Sequence, residues 1–201
     1  AFHPDLISQT SLGEHIKDYS FFFYNPEEAL HLSQREKAKA VECICNIEEE
    51  LRHAIDCHSQ ILISRYIELL LDHCNRFYER QFITRCEANK KIMKKTDVLL
   101  KDYILSGKLK YNTSPSLGYC AKILQLSSHY FNDLLKFESG KNIDEYFESK
   151  RLEMAKSMLL DSNNTVSVVT EKLGYPNIRY FSRLFKRITG VAPNNYRLSQ
   201  N

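Results

Sequence analysis

The sequence is poor in glycine and proline and has no long apolar run. Six glycines and five prolines stand among 201 residues, which favours helix over sheet and speaks against a glycine-rich loop that cradles phosphates. No stretch of 18 apolar residues is present, so the sequence predicts no transmembrane helix. The Gly-x-Ser-x-Gly and His-Glu-x-x-His motifs are missing too, and we expect no enzymatic activity.

The six cysteines are irregularly spaced and no signal peptide is visible, so we expect reduced thiols in a cytoplasmic protein. One group contains residue types that bind metals: His53, Cys57, His58, His73 and Cys74. Nitrogen and sulfur ligands suit zinc, but no Cys-x-x-Cys pair is present, and buried cysteine is a common small apolar residue. We therefore expect no metal and no cofactor.

What the sequence does contain is an eleven-residue segment that occurs twice. Residues 130–140 (YFNDLLKFESG) return as residues 180–190 (YFSRLFKRITG) at an offset of 50, and such a repeat indicates a duplicated structural unit. In both copies the apolar residues fall at helical spacing, which predicts a helix with one buried face. Polar residues fill the other face, and each copy ends in a glycine, Gly140 or Gly190, that suits a helix C-cap.

A shorter apolar pattern precedes each copy. It contains a small residue, Ala121 or Thr170, that lets a second helix cross closely, and a turn of three or four residues follows. This order predicts two helix-turn-helix units, in which the second helix lies in the major groove of DNA. Ser127 and Asn177 suit the N-caps of the second helices, and Thr165 suits the N-cap of the second unit's first helix.

Residues 142–160 lie between the copies and carry an apolar stripe: Ile143, Tyr146, Phe147, Leu152, Ala155 and Leu159. We predict one helix of about 20 residues, hence about 30 Å long. That length is close to one turn of B-DNA, about 34 Å. Such a helix would hold two recognition helices in successive major grooves on one face of the DNA.

These residues resemble the C-terminal DNA-binding domain of AraC/XylS-type bacterial transcription regulators. The resemblance covers roughly residues 97–198 and rests on Arg151, Leu152, Ala155, Leu159, Val166, Val169, Thr170, Gly174, Tyr175, Phe181, Phe185, Gly190 and Pro193. It implies an all-α fold of seven helices, with two helix-turn-helix subdomains joined by a long central helix. It also implies a bacterial regulator that binds double-stranded operator DNA, with RNA polymerase as a further partner.

The resemblance also implies which residues meet DNA. The set is Ser128, His129, Asn132, Asp133, Lys136, Asn177, Ile178, Arg179, Ser182, Arg183 and Lys186. The base-reading positions are His129, Asn132 and Asp133 in the first unit and Ile178, Arg179 and Arg183 in the second. Lys136 and Lys186 stand where they would contact phosphate. For Arg179 and Arg183 we favour guanine contact, with phosphate contact alone as the alternative.

Asp133 departs from the pattern, because Arg183 fills the equivalent place in the other copy. An aspartate accepts a hydrogen bond from cytosine N4, but its charge repels phosphates. The alternative is that Asp133 only pairs with a neighbouring lysine and never meets DNA.

Charge is distributed unevenly along the chain. Residues 107–201 carry 14 Lys and Arg against 8 Asp and Glu, a net of +6, whereas residues 1–106 carry 14 against 17, a net of −3. The repeat therefore lies in the basic half, which fits the electrostatic part of DNA binding. A chance imbalance on a solvated surface is the alternative.

The N-terminal half is predicted to be helical from residue 33 onward. Residues 33–36 have capping-box spacing and begin a helix that reaches about Cys57, followed by a helix around residues 61–77 and a third over residues 84–95. The resemblance implies that residues 33–95 form a linker and dimerisation segment of a homodimer. Packing of these helices against the DNA-binding domain is the alternative.

The resemblance implies a cupin-like sensory domain before the linker helices, and residues 1–32 are interpreted as the tail of this missing domain, with residues 21–24 as its last strand. The first residue is Ala rather than Met. We therefore expect a fragment of a longer chain, with a processed chain as the alternative.

Two other functions fit parts of the pattern. Some AraC-like DNA-binding domains are fused to cysteine-based alkyl acceptors. Such a module needs its own cluster of metal ligands, and the N-terminal half shows none. A helical protein-interaction module with a basic face would bind an acidic partner without regard to DNA sequence. The prediction is a sequence-specific DNA-binding transcription regulator, cytoplasmic and associated with the nucleoid.

Overall fold

The computed structural model describes residues 2–111 and 114–200, and every regular element in these ranges is helical. The α-helices are α1 Ser11–His15, α2 Gln34–Arg52, α3 Ser59–Thr84, α4 Cys86–Leu105, α5 Leu117–Leu124, α6 Ser128–Ser139, α7 Ile143–Leu160, α8 Val166–Lys172, α9 Ile178–Thr189 and α10 Pro193–Gln200. The predicted all-α fold is confirmed. Within the same ranges, no helix has both the length and the apolar character needed to cross a membrane. The chain divides after residue 88 into two compact units.

The N-terminal unit is built on two long helices, α2 and α3, that pack on each other. The predicted capping box begins α2: Ser33 Oγ accepts a hydrogen bond from the Glu36 N–H at 3.3 Å, and the Ser33 N–H donates to Glu36 Oε2 at 2.7 Å. Arg80 of α3 donates to the same carboxylate. The segment before α2 packs on α3 in a small buried core: Ile7, Leu12, Tyr19, Ile63, Ile67 and Leu71.

The expected strand at residues 21–24 is wrong. The chain turns there in a short 3-10 helix, Ser20–Phe23. The Phe21 ring stacks on the Tyr78 ring with 5.5 Å between centroids, and the Tyr24 ring meets Tyr78 edge-on at 5.1 Å. The aromatic run therefore packs its rings on α3 instead of pairing its backbone with a neighbouring strand.

Two predicted helix ends are also wrong. The first long helix ends at Arg52 rather than near Cys57. The third runs over Cys86–Leu105 rather than residues 84–95, because helical spacing of buried residues continues through Leu100 and Ile104. α4 thus passes through residues 95–97, where the sequence placed the start of the DNA-binding domain. The division into residues 1–32, 33–95 and 97–198 stays a prediction.

The C-terminal unit has one hydrophobic core shared by both predicted helix-turn-helix units. Among its fully buried side chains are Phe131 of α6, Phe147 of α7, and Phe181 and Phe185 of α9. Burying a phenylalanine side chain stabilises the fold by about 1.5–3 kcal/mol. This core therefore fixes both recognition helices to the central helix.

The central helix α7 buries the six apolar residues that the sequence predicted: Ile143, Tyr146, Phe147, Leu152, Ala155 and Leu159. They do not form one stripe, however. At about 100° per residue, the first three point roughly 160° away from the last three. The single-stripe prediction is therefore wrong: α7 buries one side in its first half and the opposite side in its second half.

Contacts of α7 agree with this two-sided arrangement. In its first half the Tyr146 hydroxyl donates a hydrogen bond to Asp97 Oδ1 of α4 at 2.7 Å. In its second half Arg197 of α10 donates to the Leu159 carbonyl oxygen at 2.8 Å. The first half of α7 thus contacts α4, and its second half contacts α10.

Candidate nucleic-acid interface

Each predicted helix-turn-helix unit consists of two short helices joined by a turn, α5 with α6 and α8 with α9. A side chain caps the start of each second helix. Ser127 Oγ accepts a hydrogen bond from the Tyr130 N–H at 3.1 Å, and Asn177 Oδ1 accepts one from the Tyr180 N–H at 2.8 Å. Both predicted N-caps are confirmed.

The other predicted caps are confirmed as well. Thr165 Oγ1 begins α8 by accepting a hydrogen bond from the Val168 N–H at 3.2 Å. Gly140 and Gly190 end α6 and α9 in the left-handed conformation, with φ of +67° and +81°. Helix starts and ends are therefore set by local side-chain chemistry in both copies.

The two turns share one hydrogen-bond pattern. After α5 the Leu126 N–H donates to the Ala121 carbonyl oxygen at 2.9 Å. After α8 the Tyr175 N–H donates to the Thr170 carbonyl oxygen at 3.0 Å. Both are Schellman-type closures, which require one left-handed residue in the turn. Ala121 and Thr170, the predicted small residues of the first helices, are both buried.

The left-handed residue differs between the turns: it is Gln125 (φ +59°) in the first and Gly174 (φ +67°) in the second. A Cβ on Gly174 would lie 2.5 Å from the Cβ of Leu109 and 2.9 Å from its carbonyl oxygen. Only glycine therefore fits the second turn. Pro176 is an extra residue in that turn, which is why the first helices repeat at an offset of 49 and the recognition helices at 50.

The apolar faces of the recognition helices are buried as predicted. The six residues are Phe131, Leu134 and Leu135 on α6, and Phe181, Leu184 and Phe185 on α9. Because this burial fixes the rotation of each helix about its axis, the opposite face points outward.

The eleven predicted DNA-binding residues lie on these outer faces or at their edges, and none is fully buried. The exposed ones are His129, Lys136, Asn177, Ile178, Arg179, Arg183 and Lys186. The partly buried ones are Ser128, Asn132, Asp133 and Ser182. The structure therefore brings them together as two surfaces, one on each recognition helix, and their contact with DNA stays a prediction.

Three basic side chains of α9 have no internal partner among the described residues, unlike two arginines elsewhere in the C-terminal unit. Within the described ranges, Arg179, Arg183 and Lys186 form no ion pair and no hydrogen bond through their side chains. By contrast, Arg151 and Arg197 donate to oxygens of the surrounding protein. The positive charges on α9 are thus available to an anionic ligand.

The outer face of α6 is polar rather than basic. Asp133 Oδ1 accepts a hydrogen bond from Asn132 Nδ2 at 3.3 Å, so two predicted reading side chains contact each other. Ser182 and Arg183 stand at the equivalent places of α9. The duplicated helices therefore present surfaces of different charge.

A network that the sequence did not predict attaches the second unit to α7. Arg151 Nε and Nη2 donate to the Leu173 carbonyl oxygen at 3.1 and 2.8 Å, and Nη1 donates to Glu148 Oε2 at 2.9 Å. The guanidinium carbon lies 4.0 Å from the centroid of the Tyr175 ring. The Tyr175 hydroxyl donates to Glu148 Oε1 at 2.8 Å. Burial and the nearby Glu148 charge raise the pKa of Tyr175, which keeps the hydroxyl protonated.

This network holds the turn before α9 against the central helix. Arg151 and Tyr175 were matched in the sequence only as positions of the resemblance. The acceptor, Leu173, is 22 residues from Arg151, so neither spacing nor periodicity indicates the contact. The sequence feature that could have pointed to this contact is the charged Arg151 directly beside the apolar Leu152.

The described residues give no support for a reactive thiol or a metal site. Cys120 of α5 is fully buried, and burial raises the pKa of its thiol to about 11. A thiol with a raised pKa is a weak nucleophile at neutral pH. In the part of the chain that the structure describes, no three His, Cys, Asp or Glu side chains are grouped so as to hold a metal ion.

The fold and the two outer faces define a class of protein. Two helix-turn-helix units share one core, and each turns the polar side of its second helix to solvent. This is the architecture of a helix-turn-helix DNA-binding domain.

Known proteins resemble the same part of the chain. Residues 120–199 match a family model described as a helix-turn-helix domain. The chain is 39% identical over 77 residues to YobQ, an uncharacterized HTH-type transcriptional regulator of Bacillus subtilis strain 168, with 38% of this chain and 32% of YobQ covered. It is 36% identical over 87 residues to the regulator YtdP of the same organism, covering 43% of this chain and 11% of YtdP.

A third relative is the raffinose operon transcriptional regulatory protein RafR of Pediococcus pentosaceus, 34% identical over 89 residues, with 44% of this chain and 32% of RafR covered. The chain thus spans about a third or less of the length of these relatives. Among solved structures, the C-terminal domain of AraT, a response regulator from Geobacillus stearothermophilus, is 27% identical, with a TM-score of 0.43 and coverage of 54% of this chain and 84% of that domain.

Residues 120–199 form an AraC-type helix-turn-helix domain, and the relatives that they match are named as transcriptional regulators. The resemblance noted in the sequence is confirmed.

Proposed function

We propose that this chain is part of a sequence-specific DNA-binding transcription regulator whose two recognition helices, α6 and α9, read adjacent major grooves. The observation that carries the proposal is the duplication: two helix-turn-helix units with outward polar faces share one core through α7. A helix of 18 residues is about 27 Å long, shorter than but comparable with one turn of B-DNA, about 34 Å.

Each outer face offers side chains that suit base edges. Arg179 and Arg183 match the paired acceptors O6 and N7 of guanine, and Asn132 matches adenine. Ile178, which is 46% exposed, matches the thymine methyl group. Asp133 would accept a hydrogen bond from cytosine N4. These contacts would select a sequence.

Other side chains suit the phosphates. Lys136 and Lys186 lie one turn further along α6 and α9 than Asn132 and Ser182 and are exposed. The N-termini of both recognition helices add backbone N–H donors, which favour anions. Phosphate contacts fix the register of the protein on the duplex but carry no sequence information.

Selection of bound duplexes from random DNA tests this proposal. A regulator returns a bipartite motif whose half-sites are about 10–10.5 base pairs apart, centre to centre. A protein-interaction module with a basic face returns no enriched sequence, and that result would reject sequence-specific reading. The matched control is a variant with Arg179→Ala and Arg183→Ala, which we expect to lose the second half-site and keep the first.

A second copy of the chain is the proposed partner of the N-terminal unit. Val41, Ile44 and Leu51 lie along one side of α2 and are 47%, 45% and 56% exposed. Exposed apolar stripes of this kind mark interaction surfaces. Lys37 and Glu48 lie on the same side of the helix, one toward each end.

Charge complementarity supports a two-fold, antiparallel pairing of α2 with itself. In a register that places Val41 opposite Ile44 of the second copy, Lys37 stands opposite Glu48 of the second copy. A two-fold axis makes every such contact twice. Pairing with another protein would not require this internal match of charges on one helix.

Sedimentation at micromolar concentration tests the homodimer. We expect dimers for the unchanged chain, weaker association for Lys37→Glu, and recovery when Lys37→Glu is combined with Glu48→Lys. Ile123→Asp, at an exposed site on α5, is the control and should not change association. A chain that stays monomeric under all conditions contradicts the proposed pairing.

Further assignments follow from the proposed regulator role. We infer that the protein acts in the bacterial cytoplasm, in association with the nucleoid, and that it has no enzymatic activity of its own. RNA polymerase is the second macromolecular partner expected of a regulator that activates transcription. The proposal concerns DNA reading, which a selection experiment tests without any of these assignments.

A further inference from the structure

We infer that α9 also grips the DNA backbone through a second row of side chains, Tyr180 and Arg187, outside the predicted reading positions. This inference rests on the proposed function. It assigns these two residues to the phosphates along one wall of the major groove, and it limits this grip to the second helix-turn-helix unit.

Tyr180 and Arg187 lie on one flank of α9. They are seven residues apart, close to two full turns, so their side chains point in nearly the same direction. Tyr180 is 52% exposed, and Arg187 is exposed as well. With Arg183 and the buried Leu184 they line an open pocket of about 240 Å³. Leu184 provides an apolar base, and Tyr180 and Arg187 provide the polar groups that we assign to phosphate, since Arg183 is assigned to a base edge.

The polar groups of this pocket have no internal partners. Across the described ranges, the side chains of Arg183 and Arg187 form no ion pair, and the Tyr180 hydroxyl makes no hydrogen bond. The Tyr180 ring is held by its neighbour Tyr175, with 6.4 Å between centroids. Guanidinium groups match the geometry of phosphate oxygens, and a hydroxyl adds a further donor. The pocket therefore suits one phosphate group.

The dimensions of DNA place this flank against the backbone. An α-helix with its side chains is about 10–12 Å across, and the major groove is about 12 Å wide. A recognition helix therefore nearly fills the groove, so both of its flanks meet the groove walls. Tyr180 and Arg187 lie roughly half a turn around α9 from Ile178 and Ser182, with Arg179 between the two flanks. If Arg179 faces the bases, Arg187 faces one phosphate strand.

The first helix-turn-helix unit lacks an equivalent pair of exposed polar side chains. Tyr130, the repeat equivalent of Tyr180, is only 4% exposed, compared with 52% for Tyr180. Phe137 replaces Arg187 and carries no charge. The corresponding flank of α6 therefore cannot bind a phosphate in this way. The second unit should supply more of the salt-dependent affinity, and the first should contribute mainly through its reading positions.

Salt dependence of DNA binding tests the inference. Each phosphate contact contributes about 0.9 to the slope of log affinity against log salt on duplex DNA. We expect Arg187→Ala to reduce the magnitude of that slope by about 0.9 for every duplex and to leave the selected motif unchanged. Arg187→Lys should keep most of the slope, because it keeps the charge. Tyr180→Phe should weaken binding uniformly without changing the slope.

Two variants serve as controls. Phe137→Ala removes the repeat equivalent of Arg187 and should leave the slope unchanged. Lys101→Ala removes an exposed charge of α4, outside both helix-turn-helix units, and should also leave the slope unchanged. Thermal unfolding of Arg187→Ala should match that of the unchanged chain, since this side chain has no internal partner among the described residues.

Each outcome separates the two proposals. If the unchanged chain binds no duplex selectively, the proposed function fails. If it binds selectively but Arg187→Ala keeps the full salt slope, the backbone grip is overturned and the proposed function stands. If Arg187→Ala changes the selected motif, Arg187 reads a base and the assignment to phosphate is wrong.

Discussion

At the scale of single residues, periodicity in the sequence located the outer faces of α6 and α9, because burial of three apolar residues in each helix fixes its rotation. All eleven predicted DNA-binding residues are accordingly at least partly open to solvent. The sequence did not predict the residues that act through tertiary contacts. Arg151 meets the Leu173 carbonyl oxygen only because α7 and the turn before α9 come together in the folded core.

Arg183 provides the sharpest test of base reading. It is exposed on α9, and within the described ranges its side chain has no internal partner. We expect Arg183→Ala to relax preference at one base pair, since a bidentate contact to guanine contributes about 1–3 kcal/mol of discrimination. Selection from random duplexes measures this as a loss of preference of about 5- to 150-fold at that position. An unchanged motif with uniformly weaker binding would assign Arg183 to phosphate contact instead.

At the scale of elements, the caps were predictable and the tertiary faces were not. Ser33, Ser127, Thr165 and Asn177 act through hydrogen bonds to backbone only three residues away, so local sequence suffices to place them. The two opposite buried sides of α7 depend on which helices pack against each half. A pattern of apolar residues shows that burial occurs but does not show from how many directions.

The two turns provide a matched pair of stability predictions. Gln125 has a φ of +59°, which costs a side-chain-bearing residue roughly 1–2 kcal/mol, while glycine costs about 0.5–1 kcal/mol in the unfolded chain. We expect Gln125→Gly to raise the free energy of unfolding by about 0.5–1 kcal/mol. Urea unfolding measures the change, and a loss of stability would show that the Gln125 side chain makes a needed contact.

The reverse change in the other turn should be harmful. Gly174→Ala introduces a Cβ at 2.5 Å from the Leu109 Cβ, in a residue with a φ of +67°. Left-handed strain and overpacking together should lower the free energy of unfolding by about 2–4 kcal/mol. The same urea experiment checks this value. A neutral result would mean that the 3-10 helix Lys108–Tyr111 moves away at little cost.

At the scale of the whole molecule, the chain combines a helical N-terminal unit with an AraC-type helix-turn-helix unit. The all-α fold and the duplicated helix-turn-helix unit were predictable from the sequence, because a repeat and its polar faces are local patterns. The turn at residues 21–24 and the full length of α4 did not, because ring packing on α3 and burial of Leu100 and Ile104 decide them.

Changing the spacing of the selected half-sites tests the central claim most directly, namely that one chain reads two successive grooves through helices fixed to α7. Adding 5 base pairs puts the half-sites on opposite faces of the duplex, and adding 10 restores the face but separates them by about two turns, beyond the reach of an 18-residue helix. Fluorescence anisotropy with labelled duplexes should show loss of selective affinity for both insertions. Undiminished binding after either insertion would contradict the account, because the half-sites would then be read by two independently placed helices.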